Sequence, residues 1–141
     1  MKKLYLIGSL RNDSIPTYGC ALRNMGFDVF DDWFAAGPEA DDKWQDYERR
    51  RGHTFCQALA GYAAEHVFTF DLYHLQQADL GVLIMPAGKS GHLELGYLLG
   101  RNKPGFILLE NNEPERWDVM YQFAVVCGKP GILYEELAAH V

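Results

Sequence analysis

Short apolar segments separated by turn signals constrain the fold of this chain more than any other feature. The clearest runs from Gly81 to Met85 and is followed by Pro86. A brief, uninterrupted apolar run indicates a strand buried on both faces, which is typical of parallel sheets covered by helices. Four further segments predict strands of the same kind, at Leu4–Ile7, Phe27–Phe30, Phe106–Leu109 and Phe123–Val126.

Helical signals stand between these strands. Ser14 and Pro16 predict a helix start, and Gly26 predicts its end. A strand, a helix and a strand within the first thirty residues form a βαβ unit, which implies parallel strands. Helical spacing returns in four later stretches, which are Lys43–Gln77 with breaks at Gly52 and near Thr69, Leu93–Leu99, Arg116–Tyr121 and Gly131–Ala139.

Three segments are predicted to be loops: the acidic stretch Asp31–Asp42, which contains Gly37-Pro38, then Gly88–Gly91, and Asn111–Glu115. The whole pattern predicts an α/β fold over residues 1–141, as one domain. We expect a flavodoxin-like, doubly wound five-stranded parallel sheet flanked by helices. Ligands of such sheets bind outside the carboxyl ends of the strands, so the loops that follow the strands are the candidate site.

Composition and charge exclude several classes of function. A net charge of −6 argues against binding of a nucleic-acid polymer, since a phosphate backbone requires a basic face. The three cysteines are far apart, and the five histidines lack metal-ligand spacing, so we expect no disulfide framework, no metal and no cofactor. No apolar run reaches membrane-spanning length and no leader pattern is visible, so we expect a cytoplasmic protein without a membrane partner.

The loop after the first strand carries candidate anion ligands. Gly8 permits a tight turn, and Ser9, Arg11 and Asn12 offer polar groups close to the start of a helix. The loop matches neither the dinucleotide fingerprint nor the phosphate loop of nucleoside triphosphatases. An ordinary strand–helix turn with a surface arginine is the alternative interpretation.

Glu94 is the candidate nucleophile. It follows the most apolar strand in the segment Ser90-Gly91-His92-Leu93-Glu94-Leu95-Gly96, where it is predicted to lie in the first turn of a helix. The positive end of the helix would favour the ionised carboxylate, which can attack a sugar carbon. The alternative is a capping acid that satisfies amides of that first turn.

A second carboxylate is available upstream, because Asp71 and Asp79 flank a segment with helical spacing. A second acid close to Glu94 could protonate a leaving base or bind sugar hydroxyls. Each aspartate is otherwise a surface or capping residue. Tyr5, Trp33, Trp44 and Tyr47 could stack on a base, although each is also a plausible core residue.

The order of these segments resembles the nucleoside 2-deoxyribosyltransferase-like family, which includes the 2'-deoxynucleoside 5'-monophosphate N-hydrolases. The resemblance is carried by residues 4–11, by Asp71-Leu72 with Leu75-Gln76-Gln77-Ala78-Asp79, and by Gly91-His92-Leu93-Glu94-Leu95-Gly96. It implies that Glu94 attacks the anomeric carbon, that Asp71 assists at the sugar or the departing base, and that Tyr5 lies near the nucleophile.

The resemblance also implies substrate contacts. In the hydrolases a Gly-Ser-x-Arg loop and a serine before the glutamate bind a 5'-phosphate, and Ser9, Arg11 and Ser90 match in type. In the transferases a neighbouring subunit's Asn-x-Met completes the pocket. Its nearest counterpart here is Asp118-Val119-Met120, so a homodimer or larger homo-oligomer is expected. The acidic 31–46 insert departs from both subgroups and should disfavour a phosphate.

The sequence therefore predicts an enzyme that cleaves the N-glycosidic bond of 2'-deoxynucleosides through a deoxyribosyl-Glu94 intermediate and transfers the sugar to another base. Its partner would be a small deoxynucleoside or deoxynucleotide. The first alternative is a 2'-deoxynucleoside 5'-monophosphate N-hydrolase. An alternative of another class is a non-catalytic nucleotide-binding or sensing domain, since a fold does not fix a function.

Overall fold

A computed structural model describes residues 1–112, 114 and 116–141. The strands of the described residues are β1 (Lys3–Ile7), β2 (Asp28–Phe30), β3 (Leu80–Ile84), β4 (Gly105–Leu108) and β5 (Val125–Cys127). The helices are α1 (Ile15–Met25), α2 (Ala40–Arg50), α3 (Phe55–Leu59), α4 (Tyr62–Gln77), α5 (Lys89–Gly100) and α6 (Pro130–Ala138), with 3-10 helices at Asp32–Ala36 and Val119–Phe123.

The five strands form one parallel sheet in the order β2-β1-β3-β4-β5. This order confirms the predicted flavodoxin-like sheet. The strand order reverses beside β1, because the chain moves from β1 outward to β2 and then returns to the other side of β1 at β3. The carboxyl ends of β1 and β3 therefore flank the crevice in which such sheets bind ligands.

Side chains of each strand alternate between the two faces of the sheet, and the helices cover both faces. On one face, Leu4 and Leu6 of β1 pack in a core with residues of α1 and α6, such as Ile15 and Leu133. On the other face, Tyr5 and Ile7 pack with residues of α4 and α5, among them Leu75, Leu95 and Leu98. Alternation along β1 thus directs Tyr5 toward α4 and α5.

The predicted helix between Ser14 and Gly26 is confirmed. Gly26 ends α1 with φ of 110°, a left-handed conformation that glycine adopts without a Cβ clash. The prediction that Asp31–Asp42 lacks regular structure is wrong, because a 3-10 helix occupies Asp32–Ala36 and α2 begins at Ala40. The turn predicted at Gly37-Pro38 is confined to the short segment between these two helices.

The long helical stretch is interrupted at Gly52, as predicted, but not near Thr69. There α4 continues, and the Thr69 hydroxyl donates to the Glu65 carbonyl at 2.8 Å, a contact that a threonine can make inside a helix. A second interruption falls at Gly61, between α3 and α4. No helix in the described part of the chain is long and apolar enough to cross a membrane.

The prediction of a loop at Gly88–Gly91, with a helix only from Leu93, is also wrong. Helix α5 already begins at Lys89. Gly91 lies inside the helix against β1 and β3, where a Cβ would come within 3.0 Å of Leu83 Cδ1. This glycine therefore serves close helix–sheet packing and not a turn.

The final elements differ from the predictions by a few residues. A 3-10 helix at Val119–Phe123 replaces the predicted helix Arg116–Tyr121, and β5 is Val125–Cys127 instead of Phe123–Val126. Of the predicted loop Asn111–Glu115, Glu113 and Glu115 lie outside the described residues.

Candidate active site

The centre of the site is a short hydrogen bond between β1 and α5. The Tyr5 hydroxyl donates to Glu94 Oε2 at 2.6 Å, across 89 positions in sequence. Tyr5 is buried, at 1% exposure, while the Glu94 side chain is half-buried. The bond engages one carboxylate oxygen, so Oε1 remains available for another contact.

Glu94 does not cap its helix, because it is the sixth residue of α5 and the helix begins after Gly88. The position predicted for it, in the first turn, is therefore wrong, and so is the interpretation as a capping acid. The helix end also affects it less than predicted, since that effect fades beyond the first turn. Burial raises the pKa of Glu94 to about 7, and the charge of Asp71 adds to this, although the Tyr5 hydrogen bond opposes it.

Asp71 lies on α4 and is the second carboxylate of the site. Its charge raises the pKa of both Glu94 and Tyr5, which places it near the hydrogen-bonded pair. Burial raises the pKa of Asp71 itself, and His74 lowers it. Asp79 is not part of the site, because its carboxylate accepts from the Lys3 amide at 2.8 Å, at the amino end of β1.

Burial is also the main reason that the pKa of Tyr5 is raised well above its usual value, followed by the charge and hydrogen bond of Glu94. The phenol therefore stays protonated and remains a donor throughout the neutral range. It can hold the carboxylate in one orientation without competing with it for a proton.

An aromatic cluster that sequence reasoning missed surrounds Tyr5. Phe30 packs on Tyr5 with ring centres 5.0 Å apart and stacks on His74 at 3.9 Å, while Phe70 packs against both Phe30 and His74. These rings, with Tyr73, line a cavity of about 330 Å³. The available signal was the position of Phe30 at the carboxyl end of β2, next to β1.

The aromatic residues proposed for stacking have other contacts. Trp33 is half-buried and donates from Nε1 to the Leu6 carbonyl at 2.8 Å, which fixes the first 3-10 helix on β1. Tyr47 is 54% exposed, and the guanidinium groups of Arg50 and Arg51 lie over its ring. Trp44 is half-buried on α2, and its Nε1 has no hydrogen-bond partner among the described residues.

The polar residues of the first loop mainly form hydrogen bonds within the loop. Ser9 Oγ accepts from the Arg11 amide at 3.1 Å, and Asn12 Oδ1 accepts from the Ser14 amide at 3.0 Å. Gly8 packs closely on α1, since a Cβ would come within 2.5 Å of Ile15 Cδ1 and would force that side chain to shift. The Arg11 guanidinium extends away from the loop and pairs with Asp42 of α2 at 3.1 Å.

Residues of α5 before Glu94 link it to the C-terminal part of the chain. Ser90 is exposed, and His92 Nδ1 donates to the Gly88 carbonyl at 2.7 Å. His92 Nε2 is hydrogen-bonded to the Tyr121 hydroxyl, also at 2.7 Å. Tyr121, a residue that sequence reasoning missed, thereby fastens the second 3-10 helix to α5.

Asp118 and Met120 lie at that second 3-10 helix. The Asp118 carboxylate accepts from the Met120 amide at 2.9 Å and so caps the helix, while the Met120 side chain is 58% exposed. Asp118 and Tyr121 line a cavity of about 590 Å³ together with Trp117. Within the described ranges, no group of three or more His, Cys, Asp or Glu side chains could hold a metal ion.

Comparison with known proteins supports the fold. No family model matches the chain, and no curated protein matches its sequence. Among solved structures, it is similar to a 2-deoxyribosyltransferase of the psychrotolerant bacterium Bacillus psychrosaccharolyticus, with a TM-score of 0.57 and 18% identity. The match covers 96% of this chain and 90% of the other. At this identity the similarity establishes a shared fold, the one that the family resemblance implied.

The raised pKa of Glu94 makes a prediction about stability. The contribution of Glu94 to the stability of the folded protein is fully present below the pKa of the unfolded state, near 4.5. It is lost as the pH rises through about 7, because the folded protein must then hold a buried charge. Glu94→Gln removes that charge and keeps an acceptor for Tyr5. We expect the melting temperature of the variant to exceed that of the wild type at pH 8 by a few degrees, since about 1 kcal/mol corresponds to roughly 2–4 °C in a domain of this size.

At pH 5 the two proteins should melt at nearly the same temperature. Calorimetry at both pH values measures the difference, with Glu135→Gln on the exposed side of α6 as the control. A difference for Glu94→Gln that does not grow between pH 5 and pH 8, or that matches the control, would contradict the assignment of a raised pKa.

Proposed function

We propose that the protein is an N-glycosidase of the nucleoside deoxyribosyltransferase type, in which Glu94 is the nucleophile. The observation that carries this proposal is the Tyr5–Glu94 hydrogen bond, which orients a half-buried carboxylate by one oxygen. A half-buried carboxylate with a pKa of about 7 is ionised in much of the population at neutral pH and is partly dehydrated. The fold shared with a 2-deoxyribosyltransferase supports the same reaction class.

The reaction has two steps. Glu94 Oε1 attacks the anomeric carbon of the deoxyribose, the bond to the base nitrogen breaks, and its electron pair leaves with the base. Asp71, whose pKa is raised by burial, donates a proton to the departing base. The nitrogen of a second base then attacks the same carbon, the ester to Glu94 breaks, and Asp71 recovers a proton.

We place transfer to a base ahead of transfer to water. The aromatic cluster of Phe30, Phe70 and Tyr73 beside Tyr5 offers flat apolar surface for a base, which supports this choice. The pairing of Arg11 with Asp42 disfavours a substrate phosphate, which the hydrolases of the resembled family bind. Substrate contacts are proposed for Gly8, Ser9, Asn12, Ser90, His92, Asp118 and Met120, as the sequence predicts, but not for Gly91, which packs against the sheet, or for Arg11, which pairs with Asp42.

The test is base release and base exchange. The four common 2'-deoxynucleosides and their 5'-monophosphates are incubated with and without a second base, and free and exchanged bases are separated by chromatography. We expect exchange with the wild type and a loss of at least about a thousandfold in Glu94→Ala, since removing a nucleophile eliminates the covalent route. Asp79→Ala, which removes a carboxylate at the other end of β1, should retain activity.

The outcomes of this assay distinguish the proposed function from its alternatives. Base release without exchange identifies a hydrolase, and saturable binding without release identifies a sensing domain. Equal release by the wild type and Glu94→Ala would contradict the proposed nucleophile.

We also propose that the protein acts as a homo-oligomer, because helices α3 and α4 present an extended apolar surface. Of the 16 residues of α4, only Leu75 is buried. Large apolar side chains that are more than half exposed form the α3–α4 surface: Phe55, Leu59, Tyr62, Val67, Phe68 and Tyr73. Exposed apolar side chains in this number are typical of a protein interface, and they flank Asp71 on the same helix.

Light scattering coupled to size exclusion tests this assembly. We expect the mass of a dimer or larger species for the wild type and the mass of one chain for Phe68→Asp. Ile132→Asp, the same kind of change at an exposed apolar position of α6, is the matched control and should leave the mass unchanged. A wild-type mass of one chain at all concentrations would contradict the proposal.

The cysteines support a reducing compartment, and we propose a cytoplasmic location. Cys20 and Cys56 are free and exposed, and Cys127 is free and buried. Exposed free thiols are typical of proteins that remain in a reducing environment.

A further inference from the structure

Tyr121 contacts both ends of the connection between β3 and α5. Its hydroxyl lies 2.7 Å from Nε2 of His92, the fourth residue of α5, and 3.9 Å from the sulfur of Met85, the residue that follows β3. The rings of Tyr121 and His92 also stack, with centres 5.7 Å apart and planes inclined by 27°. One half-buried side chain of the second 3-10 helix therefore holds the turn that leads into the helix of Glu94.

The start of α5 depends on such outside contacts. Gly88 is the N-cap residue, and no side chain forms a hydrogen bond at this cap. The Gly88 carbonyl accepts from the His92 amide at 3.3 Å and from His92 Nδ1 at 2.7 Å, so the helix itself fixes one nitrogen of the imidazole. Tyr121 fixes the other nitrogen. The imidazole therefore joins the first turn of α5 to the second 3-10 helix.

The hydrogen bond between Tyr121 and His92 is compatible with either charge state of the imidazole. Nδ1 carries a proton in both states, because a carbonyl can only accept. Nε2 then accepts from the phenol when the imidazole is neutral, and donates to the phenol oxygen when it is protonated. Burial raises the pKa of Tyr121, and the charge of Asp118 adds to this, so the hydroxyl keeps its own proton in the neutral range. The contact is therefore suited to a permanent attachment.

His92 and Glu94 lie on opposite sides of α5, because residues two apart are separated by about 200° around a helix axis. Tyr5 of β1 holds Glu94 at 2.6 Å on one side, and Tyr121 holds His92 on the other. Two tyrosine hydroxyls from separate elements therefore oppose rotation of α5 about its axis. Such a rotation would change the distance from Glu94 to Tyr5 and the direction of the free carboxylate oxygen.

We propose that Tyr121 is a positioning residue for the nucleophile: through His92 it fixes the rotation of α5 and so keeps the Glu94 carboxylate within reach of the Tyr5 hydroxyl. Tyr121 does not need to touch the substrate in this role. The inference rests on the proposed function for its effect on turnover. Its effect on the hydrogen bond between Tyr5 and Glu94 is independent of any reaction.

The experiment compares Tyr121→Phe, which removes the hydroxyl and keeps the ring, with Tyr97→Phe. Tyr97 is a half-buried tyrosine of α5 whose hydroxyl is not hydrogen-bonded to any described residue, so it is the matched control. Base exchange gives kcat and KM separately. We expect kcat of Tyr121→Phe to fall roughly tenfold and KM to stay within about twofold, because a misplacement of about 1 Å can cost about a hundredfold in rate. Tyr97→Phe should retain the wild-type values.

The pKa of Glu94 is the second readout, and it requires no turnover. Carbon-13 NMR of labelled glutamate carboxyls measures it in each variant. We expect it to rise in Tyr121→Phe, because the Tyr5 hydrogen bond that opposes the effect of burial is weakened when α5 rotates. His92→Ala breaks the same contact from the other side and should also raise it. The double variant should raise it no further, since both changes remove one interaction.

The two readouts separate this inference from the proposed function. If the wild type exchanges no base, the proposed reaction fails, yet a raised pKa of Glu94 in Tyr121→Phe and His92→Ala still supports the positioning role. A pKa of Glu94 that is unchanged in both variants would overturn the inference, and so would an equal rise in Tyr97→Phe. A higher KM with unchanged kcat in Tyr121→Phe would overturn it as well, because the 3-10 helix would then act through substrate contacts of Asp118 and Met120.

Discussion

The hydrogen bond from Tyr5 to Glu94 is the interaction on which the candidate site depends. It joins the inner strand β1 to helix α5, and it fixes one carboxylate oxygen at 2.6 Å from a phenol that cannot readily lose its proton. Burial makes the carboxylate costly to ionise, while the hydrogen bond partly compensates. The balance of these two effects brings its pKa close to neutral pH, which suits a group that must be charged to attack and then leave as a carboxylate.

The parallel sheet creates this arrangement through simple geometry. Alternation along β1 directs Leu4 and Leu6 to the side of α1 and α6, so Tyr5 must face α4 and α5. The close packing of Gly91 on β1 and β3 brings α5 down onto the sheet. Asp71 on α4 then lies near both Tyr5 and Glu94, and its charge acts on each of them.

The sequence was sufficient to predict the sheet, because the strands of a doubly wound fold are apolar runs that carry their own signal. The sequence was a less reliable guide at glycines, because a glycine can indicate either a turn or a position of close packing. Gly88 and Gly91 together predicted a loop, yet Gly91 packs inside α5, so the predicted start of the helix was wrong and Glu94 was placed one turn too early. The resemblance to a family, and not spacing, brought Tyr5 together with Glu94. Long-range pairs such as Arg11 with Asp42, or His92 with Tyr121, depend on tertiary packing that local patterns do not encode.

The central claim is that burial and the Tyr5 hydrogen bond together set the protonation of Glu94. Carbon-13 NMR of protein labelled at glutamate carboxyls, with Glu94 assigned by comparison with Glu94→Gln, measures its pKa directly. The account predicts a value near 7 in the wild type and a higher value in Tyr5→Phe, because the hydrogen bond that favours the charged form is lost. A wild-type pKa near the ordinary 4.5, or a pKa that falls in Tyr5→Phe, would contradict the account.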